Sequence, residues 1–358
     1  MNQTLRVAII GCGVGALHAS VFQDLTDLYE IVTVCDVDLN RAYVLAEKLG
    51  VKDVTSEFLE VLKREDVDVV DLCTPSYLHV EQTLQALEAG KEIILEKPVA
   101  GSLQDVDCLI AAQETSQRII MPIFQNRFGA GIQRLRYLVD SGLTGDALLT
   151  TVETAWRRRP EYYATWHGRW NTELGGSLVT LGIHAHDVLY SVLGPAKFVS
   201  AHLATRVNPI ETEDCAAIAL QMADGSLATL AVTTGSTRQI TRHRFCFRNL
   251  VAESNEMPYG NTQDPWTFIG DDPQIDRKIQ SALEQFSPPA TGLKAQFLGF
   301  HQAVISRDAL PLTLQEARQS IELLTAIYAS ARAKQAVSLP IGKDHPDYDG
   351  WQSISKRF

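Results

Sequence analysis

No apolar run in this 358-residue chain approaches the roughly 20 residues needed to span a bilayer, so no segment reads as a transmembrane helix. CxxC pairs are absent too. The six cysteines (Cys12, Cys35, Cys73, Cys108, Cys215 and Cys246) are scattered, which excludes a zinc cage of the usual spacing. Cys12, Cys35 and Cys73 sit in or beside apolar strand-like runs, where a thiol behaves as a small hydrophobe. A reduced, cytoplasmic protein without a metal is expected. There is no basic surplus: the formal net charge of −11 disfavours nucleic acid and anionic membrane as partners. Met1 to Arg6 is short and polar and makes a poor signal peptide. Internal repeats and low-complexity linkers are also missing. What remains is a chain with 45% hydrophobic and 21% charged residues, long enough for two domains with sizeable cores.

The first third alternates strand and helix signals. Leu5–Ile10, Glu30–Cys35, Val51–Val54, Val67–Cys73, Glu92–Leu95 and Ile119–Ile123 read as strands. Between them lie helical stretches, among them Leu39–Leu49 ended by Gly50, Ser56–Arg64 with Ser56 as its N-cap, His79–Ala89 stopped by Gly90, and Ser102–Thr115. Repeated βα units of this length predict a parallel sheet covered on both faces, over residues 1–123. After about Phe124 the pattern changes. A helix over Gly131–Asp140 precedes strands at Leu148–Trp156, Lys197–Thr205, Ala216–Met222 and Ser226–Thr234, the last two joined by Ala223-Asp224-Gly225. Turns between strands indicate an antiparallel sheet, so residues 124–358 are expected to form an α+β domain with a large open, mainly antiparallel sheet. Glu253–Pro289, polar and rich in Pro, Gly and Asn, reads as a long surface excursion, and Leu293–Ile305 and Leu314–Lys334 as closing helices.

Gly11-Cys12-Gly13-Val14-Gly15-Ala16 follows the first strand and opens a helix, which fits GxGxxA. Gly11 allows the tight turn, Gly13 lets backbone N–H groups approach a pyrophosphate, and Ala16 allows close helix–strand packing. The helix N-terminus favours the phosphate charge. Asp36 ends the second strand, where a carboxylate can accept hydrogen bonds from ribose hydroxyls and repel a 2′-phosphate. NAD is therefore expected over NADP, a preference that Arg41 softens. The alternative is an empty nucleotide-type fold.

Glu96-Lys97-Pro98 closes the fifth strand, at the end of a parallel sheet where ligands bind. A lysine leaving a buried strand is suited to proton transfer, because desolvation lowers its pKa; the bland reading is a lysine that pairs with Glu96. Here the chain resembles the Gfo/Idh/MocA oxidoreductase family. The resemblance rests on Gly11 to Ala16, on Cys73-Thr74-Pro75-Ser76-Tyr77-Leu78-His79, on Glu96-Lys97-Pro98, and on Gly175-Gly176-Ser177-Leu178 leading to His184 and Asp187. The run from Leu310 to Ile341 also looks like that family's last helix and strand. The resemblance implies a Rossmann NAD(P)-binding domain, a second domain that often buries one sheet face in a homodimer or homotetramer, and a sugar or cyclitol substrate. It further implies Thr74, Pro75 and His79 along the cofactor with Glu96 and Gln125, Lys97 as the catalytic lysine, and His184 as its partner. The family commonly carries an aspartate four residues before that histidine; here the position is Thr180, which cannot act as a base at neutral pH. In the bland reading His184 is a core histidine and His186 its outward neighbour.

Trp156-Arg157-Arg158-Arg159-Pro160 is a local basic exception in an acidic chain, and arginine forks suit carboxylate or phosphate. Trp166-His167-Gly168-Arg169-Trp170 is similar in frame to a Trp-Arg-Gly-x-Trp element of sugar-nucleotide uronate dehydrogenases in the family. Arg157, Arg159, Tyr163, Trp166, His167 and Arg169, with Asn126 and Arg127 after the last Rossmann strand, are the candidate contacts for an acidic carbohydrate; a solvated basic patch and plain sheet packing are the alternatives. Two rival functions stay open: a sugar lyase or hydrolase using tightly bound NAD transiently, and a catalytically silent NAD-dependent regulator.

Overall fold

In the computed structural model of the protein, which describes residues 3–351, the chain divides into two units. The first comprises the chain up to Ile123 together with Leu293–Arg318, and the second Phe124–Gly292 with the chain from Gln319 onward. Residues 1–2 and 352–358, the ends of the two domains expected from sequence, lie outside the described residues.

The first unit is built from β1 (Leu5–Ile10), α1 (Gly15–Gln23), β2 (Tyr29–Cys35), α2 (Leu39–Leu49), β3 (Val54–Thr55), α3 (Phe58–Leu62), β4 (Val69–Leu72), α4 (His79–Glu88), β5 (Glu92–Leu95), α5 (Leu103–Ser116) and β6 (Ile120–Pro122). The strands form one sheet in the order β3-β2-β1-β4-β5-β6, every pair parallel. This is the doubly wound order whose crevice opens where the winding reverses, between β1 and β4. Every residue of β4 and β5 is buried, as a sheet covered on both faces requires. Asp38 caps α2 and Ser102 caps α5 through their side chains, and Gly50 ends α2 in the left-handed region. Ser56 does not cap α3. That helix begins at Phe58 after Glu57, and the Ser56 hydroxyl donates to the Glu57 carboxylate instead.

The second unit begins with α6 (Ala130–Asp140), β7 (Ala147–Arg157), α7 (Trp170–Glu173) and α8 (Ile183–Leu193). Strands β8 (Ala196–Ala204), β9 (Cys215–Met222), β10 (Leu227–Thr233), β11 (Gly235–Phe247), β12 (Leu250–Glu253) and β13 (Thr267–Gly270) follow, then α9 (Pro273–Gln285). Helix α10 (Gly292–Ser306), helix α11 (Leu314–Ala333) and β14 (Val337–Ser338) complete the chain. The eight-stranded sheet runs β13-β12-β11-β7-β10-β9-β8-β14 and is antiparallel except for the β7–β10 pair. The stretch Glu253–Pro289 is more than a surface excursion. It supplies the edge strand β13, with Trp266 and Phe268 buried, and a helix that Asp272 caps and Pro273 opens. Helix α10 packs Leu293, Phe297 and Phe300 into the core of the first unit against Phe22 and Tyr29, and the Tyr29 hydroxyl donates to the Phe297 carbonyl at 2.6 Å.

Candidate active site

The glycine turn between β1 and α1 shows why each small residue is needed. Gly11 has φ +94°, and a Cβ there would lie 2.6 Å from the Cys73 carbonyl oxygen at the end of β4. Only glycine fits that backbone and that approach. A Cβ on Gly13 would meet open space, so the room above this residue is free for a ligand. The close helix–strand contact belongs to Gly15 and not to Ala16: a Cβ on Gly15 would come within 2.9 Å of the Ile9 side chain, whereas Ala16 is exposed. The helix starts at Gly15, so this residue, not the next, faces β1. Val14 is exposed at the same turn.

Asp36, half-buried beyond β2, accepts the Cys12 backbone N–H at 2.7 Å with one oxygen and the Asp38 N–H at 2.9 Å with the other. Burial, and then the nearby Asp36 carboxylate, push the Cys12 thiol up to about 12, so it is no nucleophile. Arg41 is exposed and pairs with Asp38. The glycine turn and Asp36 are thus one hydrogen-bonded constellation, and they fit a dinucleotide on structural grounds: an unfilled space over Gly13, a helix N-terminus and a carboxylate fixed at the end of β2.

The next two strands end in a second constellation. Thr74 donates to Gln82 at 2.6 Å. The His79 ring is buried, with Nδ1 2.7 Å from the Pro98 carbonyl and Nε2 2.8 Å from the Thr74 carbonyl. Burial lowers the His79 pKa despite these two acceptors. His79 therefore lies between the loop after β4 and the loop after β5, and turns neither nitrogen to solvent. Pro75 is half-buried, Glu96 is buried and accepts the Lys97 backbone N–H at 3.1 Å, and Lys97 itself is half-buried.

In the second unit, Gly175–Leu178 leads into a π-helical turn, Leu178–Gly182, and then into α8. Glu213 organises this entry: its carboxylate accepts the Gly176 N–H at 3.1 Å and the Leu178 N–H at 2.9 Å, and the Tyr328 hydroxyl donates to it at 2.9 Å. Burial pushes the Glu213 carboxyl up to about 7. The Thr180 hydroxyl donates to the Gly176 carbonyl at 3.0 Å. Thr180 and His184 are half-buried on this segment. His186 is not the outward neighbour of His184. It is the buried one of the two, and desolvation drops its pKa to about 3, which holds it neutral. Arg127 is buried and ion-paired with Asp187, with Nε donating to the carboxylate at 3.0 Å, so an internal acid already engages this arginine. Asn126 is half-buried, and the buried Gln125 Oε1 finds no hydrogen-bond partner among the described residues.

Of the basic run, Arg157 and Arg159 are exposed, as is Arg169, and none of the three makes a salt bridge among the described residues. The intervening Arg158 is committed, lying 5.1 Å from the Trp156 ring centroid and 5.0 Å from that of Tyr162. His167 stacks on Trp166 at 3.9 Å between centroids and lies 4.0 Å from Tyr162. Tyr163 is half-buried near Thr234, while Trp170 is buried against Tyr328.

The oxidoreductase family model with an NAD-binding Rossmann fold matches residues 5–124, and the GFO/IDH/MocA C-terminal domain matches residues 132–247. The chain belongs to the GFO/IDH/MocA family. Within it, D-glucoside 3-dehydrogenase of Escherichia coli is 39% identical over 213 residues, covering 58% of this chain and 60% of that protein. The scyllo-inositol 2-dehydrogenase (NADP(+)) of Bacillus subtilis is 22% identical over 94% of this chain and 96% of its own length. Among solved structures, WlbA dehydrogenase from Bordetella pertussis, in complex with NADH and UDP-GlcNAcA, is 26% identical with a TM-score of 0.84, covering 95% of this chain and 100% of that one. These GFO/IDH/MocA neighbours share the parallel sheet and the second, largely antiparallel one.

Sequence reasoning missed three buried acids and a histidine that shape these sites: Asp71, Glu213, Asp187 as the Arg127 partner, and His18. Asp71 was readable as an acid in the middle of the apolar run Val67–Cys73. His18 was readable at the third position after Gly15 on the apolar face of α1.

Proposed function

We propose that the protein is an NAD-dependent oxidoreductase that moves hydride between nicotinamide and a hydroxyl-bearing carbon of a carbohydrate. The substrate classes named for its relatives are glucosides, cyclitols and nucleotide-linked acidic sugars. The observation that carries the reading is the glycine turn joined to Asp36, with open space over Gly13. The Gly11–Ala16 turn would hold the pyrophosphate, Asp36 the adenosine ribose, and Thr74, Pro75, Glu96 and Gln125 the rest of the dinucleotide. When bound, the cofactor accepts or returns the hydride.

Lys97 is proposed to take the substrate hydroxyl proton as the carbon loses hydride, and His184 to stabilise the oxygen as charge develops on it. Thr180, four residues before His184, is proposed to orient a second hydroxyl. Exposed Arg157, Arg159 and Arg169 favour an acidic carbohydrate, and the Trp166–His167–Tyr162 stack, with Tyr163, supplies an aromatic surface for a sugar ring. Asn126 and Arg127 are assigned to the substrate side, Arg127 through its pairing with Asp187. The proposed setting is the cytoplasm, where the buried thiols Cys35 and Cys73 stay reduced, and the proposed assembly is a homodimer or homotetramer.

A panel of uronates, inositols, glucosides and nucleotide sugars, followed by NADH absorbance, tests the reading. At least one class should reduce NAD, and NADH should bind more tightly than NADPH. Failure to bind either reduced cofactor would contradict it. Asp36→Ser should narrow the preference for NADH over NADPH by about tenfold, because a like-charge contact with the 2′-phosphate is removed.

A further inference from the structure

Behind the Glu96-Lys97-Pro98 turn, and entirely within the first unit, lies a buried polar cluster in which His18 and Asp71 have no part in the proposed chemistry. His18, on the inner face of α1 with Gly15, Ala19 and Phe22, has no solvent exposure. Its Nδ1 donates to the Asp71 carboxylate at 3.0 Å, and its Nε2 to the Glu96 carboxylate at 3.2 Å. Asp71 sits in the middle of β4, paired in register with Ile9 of β1 and Ile94 of β5, and is itself fully buried. The other oxygen of Glu96 accepts the Lys97 backbone N–H at 3.1 Å.

We propose that His18 is a positioning residue for Lys97: it ties Glu96 to Asp71 in the neighbouring strand, and Glu96 in turn fixes the backbone from which Lys97 leaves β5. The proposal rests on the assignment of Lys97 as the proton-transfer group. A neutral imidazole can donate from one nitrogen only, and would leave one of two buried carboxylates without this donor. Burial opposes a charge on His18, but the Asp71 carboxylate raises its pKa well above the usual histidine value. The groups facing the ring are Asp71 from β4, Cys73 just after it, Glu96 just after β5, and the apolar ring of Phe297 edge-on from α10. His18 Nδ1, an Asp71 oxygen and Cys73 Sγ could together offer a metal three ligand atoms within 4.8 Å of one another. Nδ1 is already engaged by Asp71, and the bridge to Glu96 accounts for the second nitrogen, so the cluster reads as a hydrogen-bonded relay.

The geometry matters because displacing a catalytic group by about 1 Å costs on the order of 100-fold in rate. A glutamine at position 18 can donate to one carboxylate but cannot bridge both. His18→Gln should therefore lower kcat by about 10- to 100-fold, with NADH affinity within about twofold of the parent and a shifted pH profile for kcat. Nitrogen-15 NMR gives a readout that needs no substrate. Both His18 ring nitrogens should stay protonated well above about pH 6.5, the ordinary histidine midpoint. Glu96→Gln should bring His18 back toward that midpoint, and in His18→Gln the Lys97 backbone amide should shift and exchange faster with solvent. A parent-like Lys97 amide in His18→Gln, or a His18 titration indifferent to Glu96→Gln, overturns the proposal. Because the NMR arm reads the linkage itself, absence of hydride transfer from the parent enzyme would count against the assigned activity and not against the linkage.

Discussion

A single methyl group distinguishes the roles of the glycines in the turn after β1. Gly11→Ala would place Cβ against the Cys73 backbone at a φ of +94°. It should destabilise the protein by at least about 2 kcal/mol in urea denaturation, because backbone cannot move aside as a side chain can. Gly13→Ala should leave the denaturation midpoint unchanged, since its methyl meets nothing, yet weaken NADH binding at the same turn. Equal NADH affinity in Gly13→Ala would count against a phosphate over this residue. The GxGxxA spacing was legible in sequence, but the residue that packs the helix was not. The pattern carries no mark of which residue starts α1, and a one-residue offset moves the contact from Ala16 to Gly15. Similarly, the spacing that joins Thr180 and His184 does not disclose that the Thr180 hydrogen is donated to Gly176.

At the scale of elements, the approach to α8 depends on a carboxylate from a distant part of the sequence. Glu213 accepts the Gly176 and Leu178 N–H groups, and burial raises its pKa to about 7, from an ordinary 4.5. A raised folded-state pKa means the protonated acid is the better-tolerated form. Its contribution is fully present below the unfolded value and is lost as pH rises through the folded one. Between about pH 5 and pH 8 the parent should therefore lose stability relative to Glu213→Gln, by up to about 3 kcal/mol. Parallel stability curves for the two proteins would show that Glu213 does not titrate in this range. The sequence showed the Rossmann strands clearly because they are continuous apolar runs. Strand β11 was obscured because two positions on its buried face, Thr241 and His243, are polar, and β13 because its four residues sit among Pro, Gly and Asp. Periodicity shows that α10 is a helix, but not which sheet its Phe297 will cover.

For the whole molecule, the second sheet carries a cross-strand row that is apolar but for Gln221. Phe198 pairs with Gln221, Gln221 with Leu227, Leu227 with Leu149, Leu149 with Cys246, Cys246 with Val251, and Val251 with Ile269. Phe198, Leu227, Leu149 and Ile269 are all exposed large apolar residues, an arrangement that favours burial against a second copy. Light scattering after size exclusion should show a dimer or tetramer for the parent, and a smaller, folded species for Leu149→Arg. A monomeric parent would contradict this part of the proposal. Charge and apolar content were legible in advance; the row emerges only from the register of seven strands, which no local pattern encodes. The chemistry, finally, is tested most directly at Lys97. With a substrate in hand, Lys97→Ala should bind NADH within about twofold of the parent while hydride transfer in a single turnover slows by at least about 100-fold. Hydride transfer at the parent rate in Lys97→Ala would contradict the account.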